Sequence, residues 1–289
     1  MDKLKKRLFQ NDLPWPRLIL LAVLAAVLTA AAAILPALKY TSFSAITATF
    51  EVWILFGILI IMNSSSNMDS ALKCFVFFLI SQPLIYLLQV PFSWQGSGLF
   101  QYYKYWFLWT VLCLPMGYIG YYLKLNKWWG LLILLPMLLL TAYSYHYYLH
   151  NLLFYIPRYL LICLFCVVML LAYPLLLLGH RTARVLGTSI SLLLILALTV
   201  LNLLNPPVYS PEVLSASEEL PFDKSYTVSL ADSSYGDASI VYIESIDQYM
   251  IHTDLKKAGS TRLILQAPDG TKTEYDFKIE IDTYELTKK

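Results

Sequence analysis

The amino-acid sequence predicts an all-α polytopic membrane bundle of about seven transmembrane helices, followed by a small extracytoplasmic all-β sandwich. The 289 residues are 58% hydrophobic and only 14% charged, with a mean hydropathy of +0.60, which is far more apolar than an ordinary globular domain. The charges are also segregated. Residues 1–204 carry a net charge of +9 and residues 205–289 carry −7, which indicates two regions in two solvents.

Seven apolar stretches are long enough to cross a membrane, since a helix needs ~20 apolar residues to span ~30 Å of hydrocarbon. They lie near residues 17–38, 43–62, 71–91, 104–122, 128–147, 157–179 and 184–204, which together form a predicted transmembrane domain over residues 1–204. The third and fourth stretches are joined by "PFSWQGSGLFQYYKYW", whose Gly and aromatic residues favour a position in the membrane interface.

The orientation follows from the basic residues, because Lys and Arg remain on the cytoplasmic side. With the N-terminus inside, the outer segments hold three basic residues, Lys39, Lys104 and Arg158. The inner segments hold ten: Lys3, Lys5, Lys6, Arg7, Arg17, Lys73, Lys124, Lys127, Arg181 and Arg184. An odd number of spans then exports the C-terminal region. If the first apolar stretch is instead a cleaved signal peptide, the topology downstream is unchanged.

The composition changes at Asn205, and residues 205–221 are predicted to be an extended linker. Four prolines occur there among Ser and Glu residues: Pro206, Pro207, Pro211 and Pro221. The four cysteines, Cys74, Cys113, Cys163 and Cys166, all lie in apolar stretches, so no disulfide supports the polar tail.

Residues 222–289 are predicted to be a β-sandwich. In "YDFKIEID" the residues alternate, with Tyr275, Phe277, Ile279 and Ile281 on one face and Asp276, Lys278, Glu280 and Asp282 on the other. "TRLILQ" precedes this strand and is joined to it by "APDGT", which has the residues of a tight turn. "SYTVSL" and "SIVYIE" are further candidates. Four or five strands with no helical period indicate a small sandwich.

The segment "KKAGSTRLILQAPDGTKTEYDFKIEI" resembles the last hairpin of bacterial immunoglobulin-like domains. The stretches "FVFFLISQPLIYLLQVPF" and "KWWGLLILLPMLLL" are similar to uncharacterised multi-pass membrane proteins of Gram-positive bacteria. The first resemblance implies an immunoglobulin-like C-terminal domain, and the second implies a location in the bacterial plasma membrane. Neither implies a catalytic activity.

Glu51 is the main functional candidate, since it is a carboxylate inside an apolar stretch. If the helix enters from outside near Phe43, Glu51 lies ~12 Å below the outer end. An ionised side chain there must face the bundle, find a partner or be protonated. It is therefore a proton or cation site, the counter-ion of a substrate amine, or a neutral, hydrogen-bonded structural residue. Alternatively, the first turn of its helix begins later than Phe43. Arg158 is the expected partner, with His146 and His150 as the other outer-rim candidates.

Aromatic residues are dense at the predicted outer rim, where they form either an ordinary interfacial belt or a pocket for a sugar, lipid headgroup or peptide. The candidates are Trp94, Tyr102, Tyr103, Tyr105, Tyr147 and Tyr148. His146 and His150 are four residues apart, the spacing of two metal ligands on one helix face, but the sequence offers no third ligand and no metal is predicted.

Four predicted spans contain a proline that either opens a cavity or only kinks the helix. These are Pro83, Pro115, Pro136 and Pro174, and Gln82 beside Pro83 adds a polar group at mid-membrane. The CxxC of Cys163 and Cys166 is embedded in apolar sequence and is interpreted as two small core residues.

The sequence shows no phosphate-binding Gly loop, no HExxH and no GxSxG motif, and its basic residues form a topology signal. Catalytic residues, cofactors and nucleic-acid partners are therefore not predicted. The favoured function is a non-enzymatic accessory or scaffold subunit of a membrane complex, whose exported domain binds a membrane or cell-envelope protein. A transporter that uses Glu51, and an intramembrane enzyme that acts on a lipid-linked substrate, are the alternatives.

Overall fold

The computed structural model describes residues 12–39, 41–217, 220–280 and 283–289. The N-terminal basic residues Lys3, Lys5, Lys6 and Arg7, and the last two residues of the predicted strand, Ile281 and Asp282, lie outside these ranges. The chain forms two compact units, and each is described by itself. The first comprises residues 1–148 and 157–200, and the second comprises residues 149–156 and 201–289.

Nine α-helices occur in the described part of the chain. They are α1 Trp15–Ile34, α2 Pro36–Lys39, α3 Ser42–Ala48, α4 Phe50–Met62, α5 Asn67–Gln89, α6 Tyr103–Gly120, α7 Gly130–Phe154, α8 Ile156–Leu177 and α9 Arg181–Leu204. Short 3-10 turns at Val90–Phe92 and Gly96–Gln101 occupy the predicted interfacial connection between α5 and α6.

Within the described residues, six helical stretches are long and apolar enough to cross a membrane. They contain α1, α5, α6, α7, α8 and α9 and match six of the seven predicted spans to within a few residues, except that α7 runs to Phe154 rather than to residue 147. The second predicted span, residues 43–62, is not one helix, because the chain is extended at Thr49 and divides it into α3 and α4.

One hydrophobic core cluster of the helical unit lies where α1, α4 and α5 meet. Small side chains on α1, among them Ala22 and Ala26, are fully buried beside Trp53 of α4 and Phe77 of α5. Small residues let helix backbones approach closely in an apolar solvent, where packing rather than water exclusion holds helices together. Pro83, Pro115, Pro136 and Pro174 lie inside α5, α6, α7 and α8, as predicted.

The C-terminal part is an all-β region of two antiparallel sheets. Its seven strands within the described residues are β1 Glu212–Ser215, β2 Thr227–Leu230, β3 Gly236–Ile243, β4 Gln248–Leu255, β5 Gly259–Gln266, β6 Lys272–Ile279 and β7 Tyr284–Lys288. One sheet has the order β1-β4-β3 and the other β2-β5-β6-β7. Both contribute to one core, which contains Ile251 and Leu255 of β4 and Leu263 and Phe277 of the second sheet.

The predicted alternation of β6 is confirmed, since Tyr275, Phe277 and Ile279 are buried whereas Asp276 and Lys278 are exposed. The turn between β5 and β6 has a backbone hydrogen bond from Gly270 to the Ala267 carbonyl of 3.0 Å, and Gly270 has a positive φ of 89° that favours glycine.

The predicted linker, residues 205–221, is structured in part. It supplies β1, which pairs with β4, and Tyr209 forms a bridge with Leu255. The prediction of four or five strands missed β1, β4 and β7. The order of the sheets also differs from the ABED and CFG order of an immunoglobulin constant domain. The likeness to immunoglobulin-like domains therefore stays a prediction based on the β5–β6 hairpin.

Candidate functional site

The candidate site begins at the interruption between α3 and α4. Thr49 has φ −99° and ψ 156°, so its backbone is extended, and its hydroxyl donates to the Ile46 carbonyl at 2.9 Å. No side chain caps the first turn of α4. An interrupted helix leaves backbone groups near mid-membrane without intrahelical partners, and binding sites of membrane proteins are often built at such breaks.

Glu51 occupies the first turn of α4 and is fully buried, with 0% of its surface exposed. Neither carboxylate oxygen has a hydrogen-bond partner among the described residues. Ile58 and Met62, seven and eleven residues further along α4, are buried on the same face of the helix. The prediction of one continuous helix from near Phe43 through Glu51 is wrong, because that helix ends before Thr49. The alternative, that the first helix turn at Glu51 begins later, is confirmed.

Titratable groups on two other helices interact electrostatically with the carboxylate. The hydroxyls of Tyr148 on α7 and Tyr173 on α8, and the thiol of Cys166 on α8, interact electrostatically with Glu51. Tyr173 is 3% exposed, and its hydroxyl likewise has no hydrogen-bond partner in the described ranges. The site therefore combines one unpaired acid with an unpaired hydroxyl donor.

Arg158, the expected partner of Glu51, does not pair with it in the described structure. Its guanidinium lies over the Tyr159 ring, with Cζ 5.6 Å from the ring centre, and its Nε atom is buried without a partner among the residues described. The start of α3 is tied to Arg158 through the backbone instead. The Ser42 hydroxyl donates to the carbonyl oxygens of Arg158 at 2.6 Å and Pro157 at 3.2 Å.

The remaining polar candidates are dispersed. His146 and His150 lie inside α7 rather than in a loop, and Nδ1 of His150 is 3.3 Å from Oδ1 of Asn202. Gln82 is buried in α5, and its Nε2 atom has no partner within the described residues, nor has the hydroxyl of the adjacent Ser81. Among all the residues that the structure describes, no group of three His, Cys, Asp or Glu side chains could hold a metal ion.

The aromatic candidates form two clusters. Tyr103 contacts Tyr86 and Phe107, with ring centres 6.3 and 6.0 Å apart. Tyr148 stacks on Tyr159 at 6.2 Å and meets Tyr147 edge to face at 5.2 Å. Trp94, Tyr102 and Tyr105 are exposed by 93%, 44% and 73%, respectively.

Two cavities lie beside the helix prolines. An open groove of about 610 Å³ is lined by residues that include Pro115, Trp129 and Pro136. A cavity of about 100 Å³ is lined by residues that include Phe50, Trp53 and Pro136. Its α4 lining also includes Ile54 and Ile58, and Ile58 lies on the same face of the helix as Glu51, so this cavity adjoins the side of α4 next to that face. Both are lined mainly by apolar side chains.

Tyr173 and Cys166 were missed as site residues, although their spacing gave a signal. They are seven residues apart, so they share one face of α8. Cys166 was interpreted as a core residue, and it is fully buried with a free thiol.

Comparison with protein-family models, curated proteins and solved structures finds no match to this chain. Its function must therefore be inferred from its own residues.

Proposed function

We propose that this protein is a seven-span membrane protein that presents its C-terminal β-sandwich outside the cell as a binding domain, as an accessory or scaffold subunit of a membrane complex. The observation that carries the proposal is that the β region has a hydrophobic core of its own, built from both sheets, beyond the last apolar helix. Fold alone does not define a function, so the topology and the binding surface are argued separately.

The seventh crossing is residues 42–62. At one end of the helical unit, the Leu13 amide donates to the Asn63 carbonyl and Nζ of Lys124 donates to the Ser64 carbonyl, which puts the start of α1 and the ends of α4 and α6 together. Helix α7 begins at that end of the unit and runs to the opposite end. Ser42 contacts Pro157, which lies after α7, so residues 42–62 connect opposite ends of the unit. Two short helices in series reach about 30 Å at 1.5 Å per residue.

The distribution of basic residues supports a cytoplasmic N-terminus. The end of the unit that holds Asn63 and Lys124 also holds Arg17, Lys73 and the α8–α9 connection with Arg181 and Arg184. The opposite end has Lys104 and Arg158 among its described side chains. Because positive residues remain inside, seven crossings then export residues 205–289.

Labelling of single cysteines in cells tests this topology. Ser245 and Lys127 are exposed, the first between β3 and β4 and the second between α6 and α7. In a background without the four native cysteines, we expect a membrane-impermeant maleimide to label Ser245→Cys in intact cells and Lys127→Cys only after permeabilisation. The reverse pattern would show that the C-terminal region is cytoplasmic and would contradict the proposal.

The β3–β4 hairpin is the proposed contact surface. Tyr242 and Ile246 are exposed by 48% and 50%, and the rings of Tyr242 and Tyr249 lie 5.1 Å apart. Apolar and aromatic groups exposed together mark binding surfaces more often than bare charge does. β3 is also an edge strand of its sheet, so part of its backbone is open to a further strand.

Affinity purification of the tagged full-length protein in mild detergent tests the partner. We expect a stoichiometric membrane or envelope protein that is retained with Ser245→Lys and lost with Ile246→Lys, since both changes add a charge to one turn but only the second removes an exposed apolar side chain. Purification of the protein alone, or equal recovery with both variants, would count against a binding role for this hairpin.

Transport is the second candidate function. It is favoured by a specific observation, the buried and unpartnered Glu51 in an interrupted helix. In a strain that lacks the gene, Glu51→Gln would then fail to restore growth although its protein level is normal. An intramembrane enzyme is favoured least, because Glu51 has no hydrogen bond to His146 or His150 in the described structure.

A further inference from the structure

An apolar groove runs beside α6 and α7 of the helical unit. Its volume of about 610 Å³ lies within the range of ~300–1,000 Å³ that is usual for ligand pockets. Pro115 of α6 and Pro136 of α7 both line it. Met116, Pro136 and Met137 line this groove and also the smaller cavity beside α4, so the two spaces adjoin each other. The helical unit therefore has an apolar space that extends from its surface towards α4.

The length of this space matches one leaflet of a membrane. On α7 its lining begins at Trp129, beside the groove, and ends at Leu140, beside the smaller cavity. This stretch rises ~16 Å at 1.5 Å per residue, which is about half of the ~30 Å hydrocarbon core of a bilayer. An acyl chain of a lipid in one leaflet fills the same depth. A single acyl chain therefore fits this space in both length and chemistry.

The groove begins at an end of the helical unit where aromatic rings and cations lie together. The rings of Tyr122 and Trp129 line the groove there, and their centres are 6.1 Å apart. Such rings favour the headgroup depth of a membrane. Lys127, two residues before Trp129, is exposed in the α6–α7 connection. A lipid with its chain in the groove therefore has its headgroup on the side of Lys127.

A contact between two connections brings a second cation to this end. The side chain of Asn126, next to Lys127, covers Gly179 in the α8–α9 connection and leaves no room there for a Cβ atom. Arg181, two residues after Gly179, is exposed. Among the described residues, neither Lys127 nor Arg181 has an acidic partner in an ion pair. The two cations are therefore available to an anion at the start of the groove.

We propose that the groove binds one acyl chain of an anionic phospholipid, whose phosphate headgroup lies beside Lys127 and Arg181. Basic groups between transmembrane helices bind anionic headgroups in this way, and the planar guanidinium of an arginine pairs well with phosphate oxygens. The inference requires that α6, α7, α8 and α9 cross the membrane. It goes beyond the accessory-subunit function and does not depend on export of the C-terminal region or on a protein partner.

The combination of groove and charge distinguishes this ligand from simpler ones. Positive residues at this end are also what a cytoplasmic location requires, so the charge alone does not indicate a lipid site. The groove alone would accept any acyl chain of the bilayer. A ligand that uses both needs a hydrocarbon chain and a phosphate in one molecule. The headgroup is anionic rather than zwitterionic, because a zwitterionic one would place a further cation beside Lys127 and Arg181.

Native mass spectrometry of the purified full-length protein tests the proposal. The protein is mixed in detergent with equal amounts of phosphatidylglycerol and phosphatidylcholine that carry the same acyl chains, and the first bound lipid is identified. We expect phosphatidylglycerol to exceed phosphatidylcholine about 25-fold, because each of the two cations favours an anionic lipid about fivefold.

Removal of the cations tests the headgroup contact. Lys127→Gln should lower the ratio of bound phosphatidylglycerol to phosphatidylcholine about fivefold, and the double variant with Arg181→Gln should lower it about 25-fold. Lys104→Gln is the matched control, because Lys104 is also an exposed lysine but lies at the start of α6, at the opposite end of the unit. It should leave the ratio unchanged.

A tryptophan in the groove tests the chain contact. Ile133 lines the groove, so in Ile133→Trp an indole ring occupies part of the space and both lipids should bind about tenfold more weakly. Leu139→Trp is the matched control, since Leu139 is exposed on the same helix and does not line the groove or the smaller cavity. It should bind both lipids as the wild type does, and all variants are first shown to be monodisperse.

Three results would overturn the proposal. Equal binding of the two lipids by the wild type would mean that the basic residues are a topology signal and nothing more. An unchanged ratio in the double variant would place the headgroup elsewhere. Equal lipid binding by Ile133→Trp and Leu139→Trp would show that the acyl chain does not use the groove. None of these results concerns the C-terminal region, so failure of the accessory-subunit proposal would be seen separately.

Discussion

Glu51 and Asp69 are both acidic residues in the first turn of a helix of the same unit, and the structure surrounds them with opposite environments. Asp69 accepts hydrogen bonds from the Ser65 amide at 2.8 Å, the Ser65 hydroxyl at 3.0 Å and Lys73 Nζ at 2.6 Å. Glu51 accepts none from the described residues. A helix N-terminus therefore does not by itself satisfy an acidic residue, and the sequence just before the helix decides the outcome.

The difference comes from the residues that precede each helix. Before α5 the chain reads "NSSSN", and Ser66 caps the helix by accepting the Asp69 amide at 3.1 Å. Before α4 it reads "TATF", and the hydroxyl of Thr49 is used by the preceding helix α3. Asp69 lies at an end of the bundle that hydrogen bonds hold together, where stability is the main requirement. Glu51 is left without a hydrogen-bond partner among the described residues.

The largest expected effect is that of Glu51→Lys. An ammonium group at this enclosed position has no carboxylate to pair with, so we expect a loss of more than ~3 kcal/mol and little folded protein. Glu51→Gln, which keeps the shape and replaces the carboxyl group by an amide, should retain the fold. Yield of monodisperse protein and thermal unfolding followed by tryptophan fluorescence measure both. A well-folded Glu51→Lys variant would show that the site is open to water.

Breaking the Asp69–Lys73 pair should cost less. Asp69→Asn leaves the Lys73 ammonium without its carboxylate on a side chain that is only 6% exposed, and we expect a loss of ~3 kcal/mol. The double variant with Lys73→Met should recover part of that loss, because no charge is then left unpaired. A double-mutant cycle from thermal unfolding gives the coupling. If the effects of the two substitutions on the free energy of unfolding are additive, the Asp69–Lys73 pair contributes nothing to stability.

Glycine substitutions compare the packing around α6 with the packing around α4. A Cβ on Gly117 would lie 3.0 Å from Ala71 Cα and from the Ser70 carbonyl oxygen, so Gly117→Ala must push α6 away from α5 at a cost of ~2 kcal/mol. A Cβ on Gly57 of α4 meets nothing within 4 Å, and Gly57→Ala should stabilise the protein by up to ~1 kcal/mol through helix propensity. Melting temperatures that move in the same direction would contradict this contrast.

The apolar length of α1, α5, α8 and α9 and the alternation in β6 were readable from the sequence, because hydrophobic periodicity reports directly on burial. The break at Thr49 could not be predicted from the sequence. Apolar residues lie on both sides of it in "TATFEVWIL", and hydropathy does not detect a single extended residue.

The other errors have local causes. Prolines in residues 205–221 indicated a linker, yet β1 lies between Pro211 and Pro221 at the edge of its sheet, where flanking prolines are tolerated. Arg158 was chosen as the partner of Glu51 because it is a cation at the outer end. Its guanidinium lies over the Tyr159 ring instead, and its backbone carbonyl accepts a hydrogen bond from Ser42, a contact that no sequence pattern indicates.

The smallest expected effects are those of the two residues that precede the helices. Ser66→Ala removes the hydroxyl that accepts the Asp69 amide, so we expect a loss of ~1 kcal/mol, the usual cost of an N-cap. Thr49→Ala removes only a bond to the Ile46 carbonyl and should cost less, near ~0.5 kcal/mol, because α4 never had a side-chain cap to lose. Thermal unfolding of the two variants in one detergent gives the ranking. If Thr49→Ala is the more damaging, the Thr49 hydroxyl must stabilise the break itself. The interruption that leaves Glu51 unpaired would then be stabilised by a specific side chain rather than result only from low helix propensity.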